Sequence, residues 1–223
     1  MTVFVSETEM KYILEHDSLV IVADRSYHPD FQIGTAGVVI ESKSGYSIAK
    51  GFCRTHGHTS DQSAYRSELM GILLGLTWCK EFFSILSDTT IDIKFACDNI
   101  TAVNKCFHTE DYVEIKHSNA DLIWAIQYLI WNTKMNRIGE HVRGDQTEQA
   151  IRTNQLARTN DISHHLAADF LRFCIIYGEP AISKIPFRLW SVKLNSRTIV
   201  SNVDKMIQQH IYSNGMKEYR KKK

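Results

Sequence analysis

The chain has 223 residues, 43% of them hydrophobic and 23% charged, and its 26 basic and 25 acidic side chains leave a formal net charge of +1. That balance excludes a polycation that wraps nucleic acid over its whole surface, although it permits a local basic face. Only three prolines and eleven glycines argue against a linker-rich or disordered chain, and the length suits one sizeable core with a small appendage.

In chain order, residues 1–16 read as an N-terminal arm or short helix. They carry acidic residues and lack both a basic start and a long apolar run, so no signal peptide is expected. Leu19 to Ala23 is an apolar run of the kind buried on both faces of a sheet, and it ends in Asp24 and a polar stretch through Asp30. Gly37 to Ile40 and Ser47 to Cys53 read as the next two strands, joined by a turn at Ser42-Lys43-Ser44-Gly45. Between Gln62 and Phe83 the spacing turns helical, with Tyr65, Leu69, Ile72, Leu73, Leu76 and Phe83 on one stripe. Gly71 and Gly75 beside that stripe would let the helix approach a sheet closely. Ile91 to Asp98 alternates as a strand. Asn99 to Phe107 and Asn119 to Trp131 read as helices, the second with Leu122, Ile123, Ile126 and Leu129 as its core stripe. Arg137 to Val142 reads as a strand, and Asn160 to Tyr177 as a helix after a polar loop.

Beyond Gly178 the composition shifts, with a strand expected at Trp190–Leu194, a helix at Val203–Tyr212 and a basic end from Lys217 to Lys223. The basic end reads equally as a nucleic-acid-steering cluster or as a frayed, solvated helix end. The expected organisation is an arm (1–16), one α/β domain (17–177) and a C-terminal extension (178–223). No apolar run approaches the roughly 20 residues of a membrane span. Five scattered cysteines fit reduced thiols in an intracellular protein, in cytoplasm or nucleus. With no C-x-x-C or H-x-x-x-H pair, no zinc site is expected, and His56-Gly57-His58 reads as a polar loop.

Three strands, then helix, strand, helices, strand and helix require a parallel crossover out of the antiparallel meander. The expected fold is therefore α/β, with a five-stranded mixed sheet flanked by helices. Chemistry in such sheets collects at the carboxyl ends of parallel strands. Asp24 and Asp98 end two strands, and Glu68 lies near the start of the helix between them. Taken singly, Asp24 opens a turn, Asp98 caps a helix and Glu68 is a solvated helix residue. Taken together, in this order, they favour a hard-oxygen site for divalent cations, because three converging carboxylates repel one another without one.

Several segments carry a family resemblance: Ala23-Asp24-Arg25-Ser26, Gly34-Thr35-Ala36-Gly37-Val38-Val39, Ser63-Ala64-Tyr65-Arg66-Ser67-Glu68-Leu69 and Cys97-Asp98-Asn99. With His141 to Gln146 and the Asn160 to Ala167 stretch, they resemble the ribonuclease H domain, most of all the type carried with retroelement reverse transcriptases. The resemblance covers about residues 18–175. It implies a metal-dependent endonuclease that hydrolyses the RNA strand of RNA–DNA hybrids with two Mg²⁺ ions. Asp24, Glu68 and Asp98 would be ligands, with Asp24 bridging both ions. Ser26, Tyr65, Arg66 and Asn99 would touch the sugar–phosphate backbone, although Tyr65 and Arg66 read equally well as packing the helix start.

The fourth ligand departs from the family pattern, because His164 stands where an aspartate is expected. An imidazole there would favour Mn²⁺ relative to Mg²⁺. Three possibilities stay open: His164 serves as a ligand, Asp145 or Asp161 substitutes for it, or the position is vacant. The competing function is a weakened or inactive ribonuclease H-like module that binds nucleic acid or protein without cleaving. The acidic segment around Glu110, Asp111 and Glu114 resembles versions that rely on a reverse transcriptase domain to hold the duplex.

Overall fold

The structure, a computed structural model, describes residues 1–83, 90–108, 118–133 and 135–178, with the backbone of 193–194 and 197–198. Its elements in chain order are β1 (Thr2–Val3), α1 (Glu7–His16), β2 (Leu19–His28), β3 (Ile33–Ser42), β4 (Ser47–Arg54), α2 (Ala64–Phe83), β5 (Ile91–Cys97) and α3 (Ile100–Val103). There follow α4 (Ala120–Trp131), β6 (Met135–His141), α5 (Glu148–Thr153), α6 (Gln155–Tyr177), β7 (Lys193–Leu194) and β8 (Arg197–Thr198). The main sheet has six strands in the order β1-β4-β3-β2-β5-β6. The meander β2-β3-β4 is antiparallel, and β5 and β6 continue it in parallel. The sixth strand, beyond the five expected, is the two-residue β1 on the β4 edge, too short to leave a periodic signal.

Strand alternation divides the core. Leu19, Ile21 and Ala23 of β2 join the large cluster that also holds Leu69, Ile72, Leu73 and Leu76 of α2 and Leu122, Ile123, Ile126 and Leu129 of α4. Val20 and Val22 form a second cluster with Ala96, Val142 and Leu156. Helix α2 packs close to the sheet because Gly75 has no side chain: a Cβ there would lie 2.8 Å from the Phe95 ring. On the opposite face α6 crosses the meander, and a Cβ on Gly37 would collide with the Ser163 carbonyl.

Helix α6 begins at Gln155, earlier than expected, and α5 occupies part of the expected loop. Thr147 and Asn154 cap the two helices through Ala150 N (3.2 Å) and Ala157 N (3.2 Å). The missed first turn, Gln155 to Thr159, hides its helical pattern because only Ala157 and the polar Thr159 in it are buried. Glu41, buried on β3, accepts from Gln155 Nε2 (3.1 Å), Arg158 Nη2 (3.0 Å) and Thr159 Oγ1 (3.3 Å). Strands β2 and β3 also run further than their apolar cores, because Arg25 to His28 pair with Ala36 to Ile33. Helix α3 widens into a π-helical turn over Asn104–His108.

β7 and β8 form a separate antiparallel ribbon. The expected helix at 203–212, the basic end and the acidic stretch at 110–114 lie outside the described residues. No helix among the described residues is long and apolar enough to cross a membrane.

Arg66, expected at a nucleic-acid surface, is fully buried. Its Nη2 and Nη1 donate to the two oxygens of Asp121 at 2.7 and 3.0 Å, Nη1 also to Asn119 Oδ1 (2.9 Å), and Nε to the His56 carbonyl (2.6 Å). The guanidinium thus ties α2 both to the start of α4 and to the loop after β4. Removing one partner of such a pair strands the other charge without solvent, at a cost of about 3–5 kcal/mol. Asp121→Ala is expected to lose stability on that scale in urea denaturation; a loss below about 1 kcal/mol would show that water reaches Arg66.

Candidate metal centre

The parallel register pairs Ala23 with Cys97. The next residue of each chain segment is an aspartate, so Asp24 and Asp98 emerge side by side. Glu68, one turn into α2, comes up beneath them. Glu68, Cys97 and Asp98 each place a donor atom within 4.8 Å of the others. Glu68 is 1% exposed, and burial followed by the charges of Asp98 and Asp24 pushes its carboxyl well above the usual range. Burial and then Asp24 likewise push Asp98 upward, against the smaller pull of Arg25 and His141.

Asp24 faces the other way. On its side of the sheet, His164 Nδ1 lies 3.3 Å from Asp24 Oδ2, and Asn160 Nδ2 lies 3.5 Å from the same oxygen. That contact with Asp24 raises the His164 pKa more than partial burial lowers it. Glu68 and Asp98 thus cluster with Cys97, while Asp24, whose charge both carboxyls feel, is joined by His164. Asp161 is turned outward, 3.7 Å from His165 Nε2. Asp145 is exposed in the loop after β6 with φ 48°, while its neighbour Gly144 lies so close to Asp98 that a Cβ would stand 3.0 Å from Oδ2.

The other expected contact residues fare differently. Ser26 is half-buried in the β2–β3 ladder beyond Asp24. Asn99 caps α3, accepting from Ala102 N at 3.0 Å. The Tyr65 hydroxyl is buried without a hydrogen-bond partner among the described residues, and burial pushes its pKa up to about 12. Tyr65 therefore points into the protein, and Arg66 is excluded by the buried ion pair described above.

Three neighbours escaped the sequence reading. Cys97 Sγ donates to Glu68 Oε2 (3.2 Å), Arg25 Nε donates to Glu68 Oε1 (3.1 Å), and Asn160 contacts Asp24. The signal for two of them was present. On a strand, residues two apart share a face, so Arg25 and Cys97 point to the α2 side, where Glu68 arrives. A polar side chain next to a ligand position was readable as a second neighbour of that ligand.

The donor set is hard carboxylate oxygen with one imidazole nitrogen, and its buried acidic charge is incompletely neutralised. That chemistry fits a divalent cation such as Mg²⁺ or Mn²⁺.

No family model matches the sequence, and no curated protein does. Among solved structures, the chain is similar to LC11 ribonuclease H1, isolated from compost by a metagenomic approach. The structure of that protein in complex with an RNA/DNA hybrid superposes with a TM-score of 0.51 at 13% identity, over 69% of this chain and 99% of that one. A second structure of it gives a TM-score of 0.50 at 13% identity, over 70% and 99%. The likeness is one of architecture: the chain has a ribonuclease H fold.

The raised Glu68 pKa has a sign. Between the ordinary carboxylate range and the raised folded value the native state holds the extra proton, so stability falls as pH rises through that window. Glu68→Gln is expected to melt higher than the unsubstituted protein at pH 8 in EDTA, with the advantage vanishing below about pH 4. Saturating Mg²⁺ should reverse the order, since a ligand at one hundred times its Kd adds about 2.7 kcal/mol only where the site is intact. Equal melting in EDTA at pH 8 would contradict the buried carboxyl.

Proposed function

We propose that the chain is a metal-dependent endoribonuclease that hydrolyses the RNA strand of an RNA–DNA hybrid, of the type carried by retroelements beside a reverse transcriptase domain. The observation that carries this reading is the clustering of Glu68 with Asp98, beside Asp24 and its His164 partner, where the parallel strands β2 and β5 run together in a ribonuclease H fold. The motif resemblance supports the retroelement type. The hybrid-bound LC11 structure supports the substrate class.

In this reading Asp24, Glu68, Asp98 and His164 hold two Mg²⁺ or Mn²⁺ ions. Such ions supply an activated water at neutral pH and charge stabilisation for the leaving oxygen of the phosphodiester. The chain's own part is to hold its donors rigid: Glu68 from a helix packed into the main core, Asp24 from within the paired strand β2, and Asp98 from the residue that follows β5. The Arg25 backbone N–H donates to Asp24 Oδ1 at 2.6 Å, fixing that carboxylate's orientation. His141 Nε2 lies 3.0 Å from the Asp98 carbonyl and steadies the turn that presents Asp98. Ser26 and Asn99 flank the site where a sugar–phosphate backbone would pass. Contacts of this sort read duplex shape and 2′-hydroxyls rather than sequence.

One observation favours a second reading. An imidazole at the fourth position removes a negative charge from the site, as in a module that binds hybrids with little or no cleavage. A labelled hybrid incubated with the protein in Mg²⁺ and then Mn²⁺ separates the two. Cleavage is expected, faster in Mn²⁺, and Asp98→Asn should reduce it by at least about a hundredfold, the scale for loss of one preorganised charged group. His164→Asp should raise the rate in Mg²⁺ relative to Mn²⁺. Absence of cleavage with either ion, at high protein concentration, would reject the nuclease reading.

A further inference from the structure

Arg25 is the one cation in hydrogen-bonding contact with Glu68 among the described residues. It reaches Glu68 from the α2 side of β2, because Ala23 and Arg25 share a strand face and Asp24 takes the other. Its charge is felt at Asp98 as well. Only Nε is engaged; neither terminal nitrogen donates to a described residue, and the side chain is 41% exposed. A guanidinium held by one nitrogen, with its planar fork of donors open to solvent, matches a phosphate in geometry and charge. The same guanidinium also sits against a carboxylate that divalent ions would need. Two positive charges competing for Glu68 repel each other over a few ångströms, and partial burial weakens the screening.

We propose that Arg25 is an exchangeable cation, holding Glu68 in the metal-free protein and passing to a phosphodiester of the bound nucleic acid when divalent ions take the carboxylate. The inference rests on the metal-centre reading above. Its consequence is coupling. Metal entry frees the guanidinium for substrate, and substrate phosphate, by holding the guanidinium, favours metal entry. In the absence of nucleic acid the site is biased against metal.

The test is Mn²⁺ binding to the full chain at pH 8 and low salt, followed by the electron paramagnetic resonance signal of free Mn²⁺ and independent of catalysis. Arg25→Gln removes the charge and keeps a polar side chain of similar reach. It should bind Mn²⁺ about tenfold more tightly than the unsubstituted protein, whereas Arg25→Lys, which keeps the charge, should stay within about twofold. In anisotropy titrations with a labelled hybrid in Ca²⁺, Arg25→Gln should bind more weakly, and its log–log salt slope should be shallower by about one phosphate contact. Unchanged or weaker Mn²⁺ binding by Arg25→Gln, or equal tightening by Arg25→Lys, would overturn the exchange. Unchanged hybrid binding by Arg25→Gln would overturn the hand-over to phosphate. If neither the unsubstituted protein nor Arg25→Gln binds Mn²⁺, the metal centre itself fails and the inference falls with it. Binding by the variant alone would support the exchange in its strongest form.

Discussion

The site depends on one register, that of β2 against β5. Pairing Ala23 with Cys97 sets the next residue of each segment, an aspartate in both cases, beside the other: Asp24 continues β2 in its pairing with Gly37, and Asp98 follows the end of β5. Backbone hydrogen bonds prevent the two carboxylates from drifting apart to relieve their repulsion. A third carboxylate is driven up from below by α2, whose apolar stripe is buried in the main core. Packing therefore holds together charges that would separate if free. Burial first, and then the neighbouring carboxylates, push the Glu68 and Asp98 carboxyls upward. Since β2 alternates, the site straddles the sheet: Arg25, Cys97 and Glu68 lie on the α2 side, while Asp24, Asn160 and His164 lie on the α6 side.

Most of this was legible in the sequence wherever burial was apolar. The Leu19–Ala23 run, the Leu69–Leu76 stripe and the Leu122–Leu129 stripe all pack in the core as their periodicity demands. Legibility failed where polar groups are buried. The start of α6, Gln155 to Thr159, was hidden because Gln155, Arg158 and Thr159 turn polar side chains to the buried Glu41. The polar ends of β2 and β3 were hidden because a hairpin ladder needs backbone groups, not apolar side chains.

Arg66 is the instructive case for the site. Two positions before Glu68 in a motif that carries chemistry, it looked equally suited to nucleic acid or to the helix start. No local signal distinguishes a solvated arginine from a buried one. The difference lies more than fifty positions downstream, where Asp121 and Asn119 supply its partners. His164 was recognisable by its place in the final-helix pattern, and its contact is with Asp24 on the neighbouring sheet face. Arg25 was legible only through strand alternation, which turns it to the α2 side where its partner Glu68, 43 positions downstream, arrives.

The fastening of α6 has a mechanical side. His164 lies between two sets of bolts: upstream, the three donors on Glu41; downstream, the 2.8 Å bond from Thr35 Oγ1 to the Ala167 carbonyl. Past Cys174 the helix runs on with Ile176 and Tyr177 largely in solvent. A load applied at its far end bends those free turns first and is grounded in the sheet at Ala167 before it reaches the imidazole. The imidazole beside Asp24 therefore belongs to the pinned part of α6, mechanically apart from the solvent-exposed last turn.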